Sequence, residues 1–517
     1  MINSTVADIR RDVKHPAADA LAVTKRLSNK VFVDGEIRDA LTEAAFDVIH
    51  PGDLGIVGQA PRCAKEDVDA AVEAARKAFG KWKKIPARER GRMLQKAADA
   101  VEANTAIVEQ VLALDTGNAL RTQARPETGS AIDLTRMFGG LAGELKGETI
   151  PAASAKVLQY TTRDPIGVVA GIIPWNVPLL LFVTKVAPAL AAGNTVVIKT
   201  AEQAPFCVLF LAEIMSRELP AGVLNVISGY GEECGKPLVE HPAVRKVTFT
   251  GSLPVGQAVA GYAAPKLCPV TLELGGKNPS IVMPDADLDL AVPGIIEGMR
   301  YTRQGQACTA GTRVFVHEAV YDRVIEGVAA KLADIKLGNP LDEATDMGAI
   351  ISQEQFHRTL RYLDITRRTP GARVLFGGER PTDPYLSKGY FYPPTLLDGL
   401  TIESEVCQDE IFGPVATVLP FSAFDDMIAS ANDTPYGLAA NLWTRDLSRA
   451  LEYVDRIEAG FVQVNQCATP RSNVSFGGLK MSGVGKEYAL DSMLHHFTCS
   501  KTVLINRGTP GGSPILG

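Results

Sequence analysis

The chain has 517 residues, and at roughly 150 residues per domain that length leads to an expectation of about three lobes, with room for one to be split in sequence. An apolar fraction of 46% and a charged fraction of 22% are those of an ordinary globular protein and exclude wholesale disorder. Lys+Arg 53 stand against Asp+Glu 59, the net charge is -6, and no basic run offers a phosphate-neutralising stripe, so nucleic acid is not an expected partner.

In chain order, the first segment, MINSTVADIRRDVKHPAADA, lacks an apolar h-region, and Asp8 and Asp12 weaken a transit-peptide reading, so a cytoplasmic location is expected. Lys65 to Trp82 carries Val68, Ala71, Val72, Ala75 and Phe79 at helical spacing, and Arg88 to Ala103 continues the pattern. From Ile166 short apolar runs alternate with helical ones: IGVVAGII, Pro178 to Ala191, NTVVIK, Pro205 to Leu219, VLNVIS, and KVTFT from Lys246. This alternation predicts repeated βαβ units and a parallel sheet. Ile166 to Thr184 is uncharged and long enough to imitate a membrane span. Pro174 and Pro178 fall in its middle, so a buried strand, a turn and a buried helix are predicted instead, with no membrane partner. A second α/β alternation follows, with SIVM from Ser280, RVFVH from Arg313, a helix over Ala319 to Ile335 and a turn at Gly338-Asn339-Pro340. The chain closes with Gly-rich FGGLKMSGVG from Phe476, a helix near Glu487 to His495, a β-rich KTVLIN from Lys501, and a tail RGTPGGSPILG expected to be disordered.

The eight cysteines, at positions 63, 207, 234, 268, 308, 407, 467 and 499, form no CxxC pair. A reducing compartment suits them, and no metal is expected. Cys308 lies in GQACTAG, where small neighbours let a substrate approach the sulfur. A thiolate is a strong nucleophile where its surroundings lower its pKa; the alternative is a buried spectator thiol. Glu273 sits in an apolar strand-like run, VTLELGG, where an unpaired carboxylate is costly and burial would raise it toward the range of a general base; pairing with a backbone group or a lysine is the structural alternative. Asn176, between two prolines, offers a fixed amide donor suited to an oxyanion.

For phosphates, Gly229 to Gly235 is only a near miss of the dinucleotide fingerprint and reads equally well as a plain turn. FTGSLPVG from Phe249 is the better candidate, because a strand ends in Gly-Ser where a helix begins with free N–H groups. Lys199 and Glu202, after NTVVI, form a pair able to hold ribose hydroxyls, and a carboxylate there favours NAD over NADP. Solvated decoration is the alternative for that pair.

Taken together, PWNVP at Pro174, KTAEQAP at Lys199, FTGSLPVG at Phe249, LELGGK at Leu272, GQACTAG at Gly305, EIFGP at Glu410 and SFGGLKMSGVGKE at Ser475 resemble the aldehyde dehydrogenase superfamily, over about Val31 to Asn506. The resemblance implies an α/β fold of two parallel-sheet lobes with a β-rich oligomerisation arm: a Rossmann-like NAD-binding domain over 14–141 and 165–276, a catalytic domain over 277–481, an arm over 142–164 and 496–506, and the tail over 507–517. It implies oxidation of an aldehyde to the carboxylic acid with NAD and water, and a homodimer or homotetramer.

By position it implies that Cys308 attacks the aldehyde, Asn176 holds the oxyanion, Glu273 activates water and Lys185 relays protons. Implied cofactor contacts are Ile172, Ile173, Trp175, Lys199, Glu202, Gly231, Phe249, Gly251, Ser252, Gly256, Glu410 and Phe412. The carboxylate of Glu273 favours release by water over transfer to coenzyme A. Val177, Leu181, Thr184, Thr302, Ala307, Thr309, Cys467 and Phe476 are placed along the substrate tunnel, and the small size of several suits a bulky apolar or aromatic aldehyde. Arg471 matches a region that supplies a carboxylate-binding arginine in semialdehyde-oxidising relatives, against the simpler reading of a solvent-facing charge. Two departures, Ser475 for a usual proline and GKE at Gly485 for the frequent GRE, are expected to lie clear of the chemistry. Two other classes remain: an esterase using the same thiolate, and a binding relative that has lost the chemistry.

Overall fold

The structure is a computed structural model that describes residues 16–507. The first fifteen residues and the tail beyond Arg507 therefore lie outside the described residues. So do the expectation of a disordered tail, Arg507 apart, and the leaderless reading of the N-terminus. The N–H of Arg507 is bonded to the carbonyl of Lys156 at 2.7 Å.

Val168–Ile172, Thr195–Lys199, Leu224–Ile227, Val244–Thr250 and Val270–Glu273 are almost wholly buried, as continuous apolar runs flanked by helices must be. They pair in parallel, in the spatial order 224–227, 195–199, 168–172, 244–250, 270–273. Numbered along the chain this order is 3-2-1-4-5, a doubly wound sheet that reverses direction between Val168–Ile172 and Val244–Thr250. The sheet is not parallel throughout. Lys30–Val33 and Glu36–Asp39 close one edge antiparallel, and Gly483–Val484 closes the other against Val270–Glu273.

The uncharged window from Ile166 folds as the strand Val168–Ile172, a turn, and the helix Pro178–Ala191, with Pro178 at the helix start where its missing N–H costs nothing. Gly171 leaves room for the neighbouring strand's side chain: a Cβ there would lie 2.4 Å from Ile198 Cδ1. No helix among the described residues is long and apolar enough to cross a membrane.

A second sheet of seven strands has the order 373–376, 395–398, 415–421, 313–317, 279–282, 439–443, 461–464, parallel except at its first pair. The helix foreseen from Ala319 is a 3-10 turn, Glu318–Val320, followed by Tyr321–Leu332. A third, three-stranded antiparallel sheet joins Thr149–Ile150, Val157–Pro165 and Thr498–Asn506.

Candidate active site

In open α/β sheets ligands settle outside the carboxyl ends of the strands where the winding reverses. Here those ends are Ile172 and Thr250, so the crevice is bordered by Ile173-Pro174-Trp175-Asn176 on one side and Gly251-Ser252 on the other. Ser252 N-caps the helix Leu253–Ala263 without its side chain accepting a capping bond. The N–H groups of the first turn are therefore free for an anion. Gly256 allows that helix to lie against Leu274, since a Cβ would come within 2.5 Å of the Leu274 Cδ2. Gly251 likewise clears the ring of Phe249, which is buried.

Lys199 ends its strand buried, with Nζ 3.3 Å from Glu202, so the pair foreseen from sequence is formed. Gly231 opens a π-turn, Gly231–Gly235, beyond Leu224–Ile227, with open space around it. Trp175 packs edge-on to Phe412 at 5.5 Å, and Phe412 holds a left-handed φ of 58°. Glu410 accepts the Gly276 N–H at 3.0 Å, and burial pushes its carboxyl up to about 7.

Cys308 is half-buried on the loop before the strand Arg313–His317. Its carbonyl accepts a bond from Asn278 Nδ2 at 2.7 Å. The glycines around it serve the backbone: a Cβ on Gly276 would meet the Cys308 carbonyl at 2.7 Å, and one on Gly305, at φ 65°, would meet the Gly413 carbonyl at 2.1 Å. Asn176 donates from Nδ2 to the Gln306 carbonyl at 3.0 Å, which brings the amide to the Cys308 loop from a strand end far away in sequence. Its own carbonyl is held by Asn118 Nδ2 at 3.3 Å. The surroundings do not lower the thiol: burial, then Glu410 and Glu273, push Cys308 up to about 12, with Arg303 opposing.

Glu273 ends its strand with 4% of its surface exposed, and neither carboxylate oxygen has a hydrogen-bond partner among the described residues. Gly477 makes room for it, as a Cβ there would sit 2.5 Å from Oε1. Burial, followed by repulsion from Glu487, holds the Glu273 carboxyl well above the usual range, against Lys185 and Lys486. Lys185 is fully buried and ion-paired with buried Glu487, which also accepts the Thr248 hydroxyl at 3.2 Å. The expectation that GKE lies clear of the chemistry is corrected here. Lys486 donates to the Gly477 carbonyl and its charge bears on Glu273. Ser475, in contrast, is exposed. Sequence reasoning missed Glu487, Lys486 and Gly477; a charged pair following a Gly-rich run that folds back on the sheet was the available signal.

Leu181 and Phe476 belong to one apolar cluster, against which Trp175, Val177 and Cys308 pack. Phe476 meets Phe461 at 5.4 Å and Tyr488 at 5.8 Å, both edge-on. Thr184 is buried, its hydroxyl bonded to the Leu180 carbonyl at 2.7 Å. Thr302 accepts from Gln123 at 2.7 Å, and Thr309 is half-buried. Ala307 and Cys467 lie in a different cluster, where the Cys467 thiol donates to Glu297 at 3.4 Å. Arg471 is exposed, which agrees with its solvent-facing reading.

A doubly wound sheet with an anion-ready helix start at its switch point, facing a thiol and an unpaired buried carboxyl, defines a nucleotide-binding α/β scaffold with a chemically equipped cleft. Comparison with known proteins narrows that class. The model of the aldehyde dehydrogenase family matches residues 38–503. An aldehyde dehydrogenase of Aspergillus niger is 41% identical over 468 residues, covering 89% of this chain and 93% of its own. Aldehyde dehydrogenase 1A1 of Rattus norvegicus is 39% identical over 494 residues, covering 94% and 97%. Among solved structures, the NAD+ complex of the aldehyde dehydrogenase from Bacillus cereus superposes with a TM-score of 0.90 at 36% identity, over 94% of this chain and 98% of that one. Betaine aldehyde dehydrogenase from Staphylococcus aureus, in complex with NAD+, reaches 0.92 at 33% identity, over 97% and 99%. The chain belongs to the aldehyde dehydrogenase family.

Proposed function

We propose that the protein oxidises an aldehyde to its carboxylic acid through a covalent adduct on Cys308. The observation that carries this reading is the meeting, at one switch-point crevice, of the Cys308 loop, the Asn176 amide and a Glu273 carboxyl that accepts no hydrogen bond from the described residues. As a family member the protein is an NAD-dependent aldehyde dehydrogenase, and its residues fit the dinucleotide. The helix start at Ser252 suits the diphosphate, the buried Lys199 with Glu202 suits ribose hydroxyls, and Ile172, Ile173, Gly231, Phe249, Glu410 and Phe412 border the same crevice.

Cys308 attacks as the thiolate, its proton having passed to water. The new C–S bond pushes the carbonyl electrons onto oxygen. Asn176 uses one amide hydrogen on Gln306, and its second, with the Cys308 N–H, holds that oxyanion. NAD, when bound, supplies the oxidation by accepting hydride from the substrate carbon. A thioester on Cys308 remains. Glu273, once ionised, takes a proton from water, the resulting hydroxide attacks the thioester, and the C–S bond breaks to free the acid and the thiolate. Lys185 and Lys486 favour the ionised form of Glu273 that this step needs, and the Lys185–Glu487 pair offers its proton a path inward.

The first sheet forms the cofactor lobe and the second the catalytic lobe. The three-stranded sheet is the arm through which copies of the chain assemble into a dimer or tetramer. Small residues at Val177, Thr302, Ala307 and Thr309 leave room for a bulky substrate, and eight unpaired cysteines suit a reducing cytoplasm. The test is NADH formation from a broad aldehyde panel. The wild type produces NADH and Cys308→Ala produces none; normal turnover by that variant would overturn the reading.

A further inference from the structure

Asn118, Gln123 and Glu127 are buried polar residues on one stretch of chain, and the reaction as read above uses none of them. Each nevertheless grips a segment that carries the reaction. Asn118 Nδ2 donates to the Asn176 carbonyl at 3.3 Å, and Glu127 Oε1 accepts the N–H groups of Leu179 at 2.8 Å and Leu180 at 3.4 Å. Between them these two hold both sides of Val177-Pro178, the step from the Asn176 turn into the helix Pro178–Ala191. Gln123 Nε2 reaches the other half of the site, donating at 2.7 Å to the hydroxyl of Thr302 in the 3-10 turn Tyr301–Arg303, just upstream of Cys308.

Glu127 occupies the place where a helix start favours an acceptor, since the first-turn N–H groups have no partner within the helix. Burial pushes its carboxyl up to about 7, with Arg303, next to Thr302, opposing. The turn gripped by Gln123 is flanked by two left-handed residues, Arg300 at φ 58° and Gln304 at φ 54°. Such a conformation is costly for residues with a Cβ and persists only where neighbours enforce it.

The gripping stretch is itself anchored. Leu120–Ala124 forms a π-turn leading into the helix Arg125–Leu141, an irregularity that recurs at functional sites. The Leu120 N–H donates to the Pro340 carbonyl at 2.7 Å and the Thr122 hydroxyl to the Asp346 carbonyl at 2.7 Å. A Cβ on Gly348 would run into the Gly117 carbonyl, so backbone packs on backbone there. Together with the bond from Asn176 Nδ2 to the Gln306 carbonyl at 3.0 Å, these contacts close a ring: Asn176 to the Cys308 loop in front, and the stretch from Asn118 to Glu127 behind.

An oxyanion site works only when its donors converge on one point, and a misplacement of about 1 Å can cost on the order of 100-fold in rate. Resting on the reading of Cys308 and Asn176 above, we propose that Gln123 and Glu127 are positioning residues that hold the Asn176 amide in register with the Cys308 N–H, and so set how fast the sulfur adds to the aldehyde.

Single-turnover mixing with NAD and the aldehyde that the wild type oxidises fastest tests this. Gln123→Met and Glu127→Met should slow NADH formation by about 10- to 100-fold while the KM for NAD stays within about twofold. Glu127→Gln, which keeps an oxygen for Leu179, should stay near the wild-type rate. Thr302→Val removes the Gln123 bond from its other end at nearly constant volume and should reproduce the loss, which keeps the test open if a methionine variant does not fold. Alkylation of Cys308 by iodoacetamide needs the sulfur but no oxyanion site, and should change by less than about twofold in the same variants. In an Asn176→Ala background the donor is already gone, so adding Gln123→Met should cost less than about twofold. Wild-type NADH formation in the Gln123 and Glu127 variants, an undiminished loss in the Asn176→Ala background, or alkylation slowed as much as NADH formation would overturn the proposal. Normal turnover by Cys308→Ala would instead overturn the reading beneath it.

Discussion

Glu273 and Cys308 lie in surroundings that disfavour charge on both: the thiol is pushed up to about 12 and the carboxyl is held well above its usual range. The basic residues nearby, Lys185, Lys486 and Arg303, are what make ionisation accessible. Beneath them Lys246 is buried, donates to the Thr271 hydroxyl and is pulled down to about 7, first by burial and then by Lys185, against Glu487 and Cys268; His496 faces the same group and is itself pulled down to about 4. An unfolded lysine keeps its proton to about 10.4, so between about 7 and that value the unfolded chain binds more protons and this residue's contribution to stability rises with pH. Unfolding of the wild type and Lys246→Met, compared at pH 7, 8.5 and 10, should show the difference moving in favour of the wild type by on the order of 2–4 kcal/mol. A difference that stays flat would contradict the buried lysine. At this scale the burial of Glu273 and the approach of Asn176 to the Cys308 loop were legible in sequence, because each residue sits in a short run whose chemistry is local. Glu487 was not, because its partner Lys185 is 302 positions away and only folding reveals that both are buried.

Elements with one dominant periodicity were also legible. Lys65–Trp82 forms as its apolar spacing requires, and Pro178 starts the helix it announces. Where a side chain is held by distant structure, the local pattern gives way. The helix foreseen from Glu487 starts only at Leu490, because Glu487 is drawn to Lys185 and Tyr488 takes a φ of 70° that no helix continues. The near-miss glycine fingerprint becomes a π-turn instead of a tight helix start. The three-stranded sheet is the element left with an uncovered face. Val157–Pro165 and Thr498–Asn506 pair over nine residues each, yet Leu504 and Ile505 stay exposed, at 63% and 41%. A long ribbon showing apolar groups is an assembly or aggregation surface until it is covered. Light scattering should give a dimer or tetramer for the wild type and a smaller species for Leu504→Glu with Ile505→Glu; a monomeric wild type would contradict the assignment.

Over the whole molecule, alternation of strand and helix predicted parallel sheets but not their order. That order, 3-2-1-4-5, decides where the crevice opens, and it arises from which sheet edge each crossover adds to, a matter of packing. The antiparallel edges come from Lys30–Asp39 and Gly483–Val484, segments too short and too distant from the central strands to declare their place. The last of these edges carries the Gly-rich run over Glu273, so the sheet, the buried carboxyl and the closing segment form one unit. In the proposed reaction hydride leaves a Cys308 adduct before Glu273 lets water in. Rapid mixing of Glu273→Gln with NAD and aldehyde tests it most directly. The expected result is a burst approaching one NADH per active site followed by a stall; steady turnover at the wild-type rate, or no burst with the cofactor still bound, would overturn that order of steps.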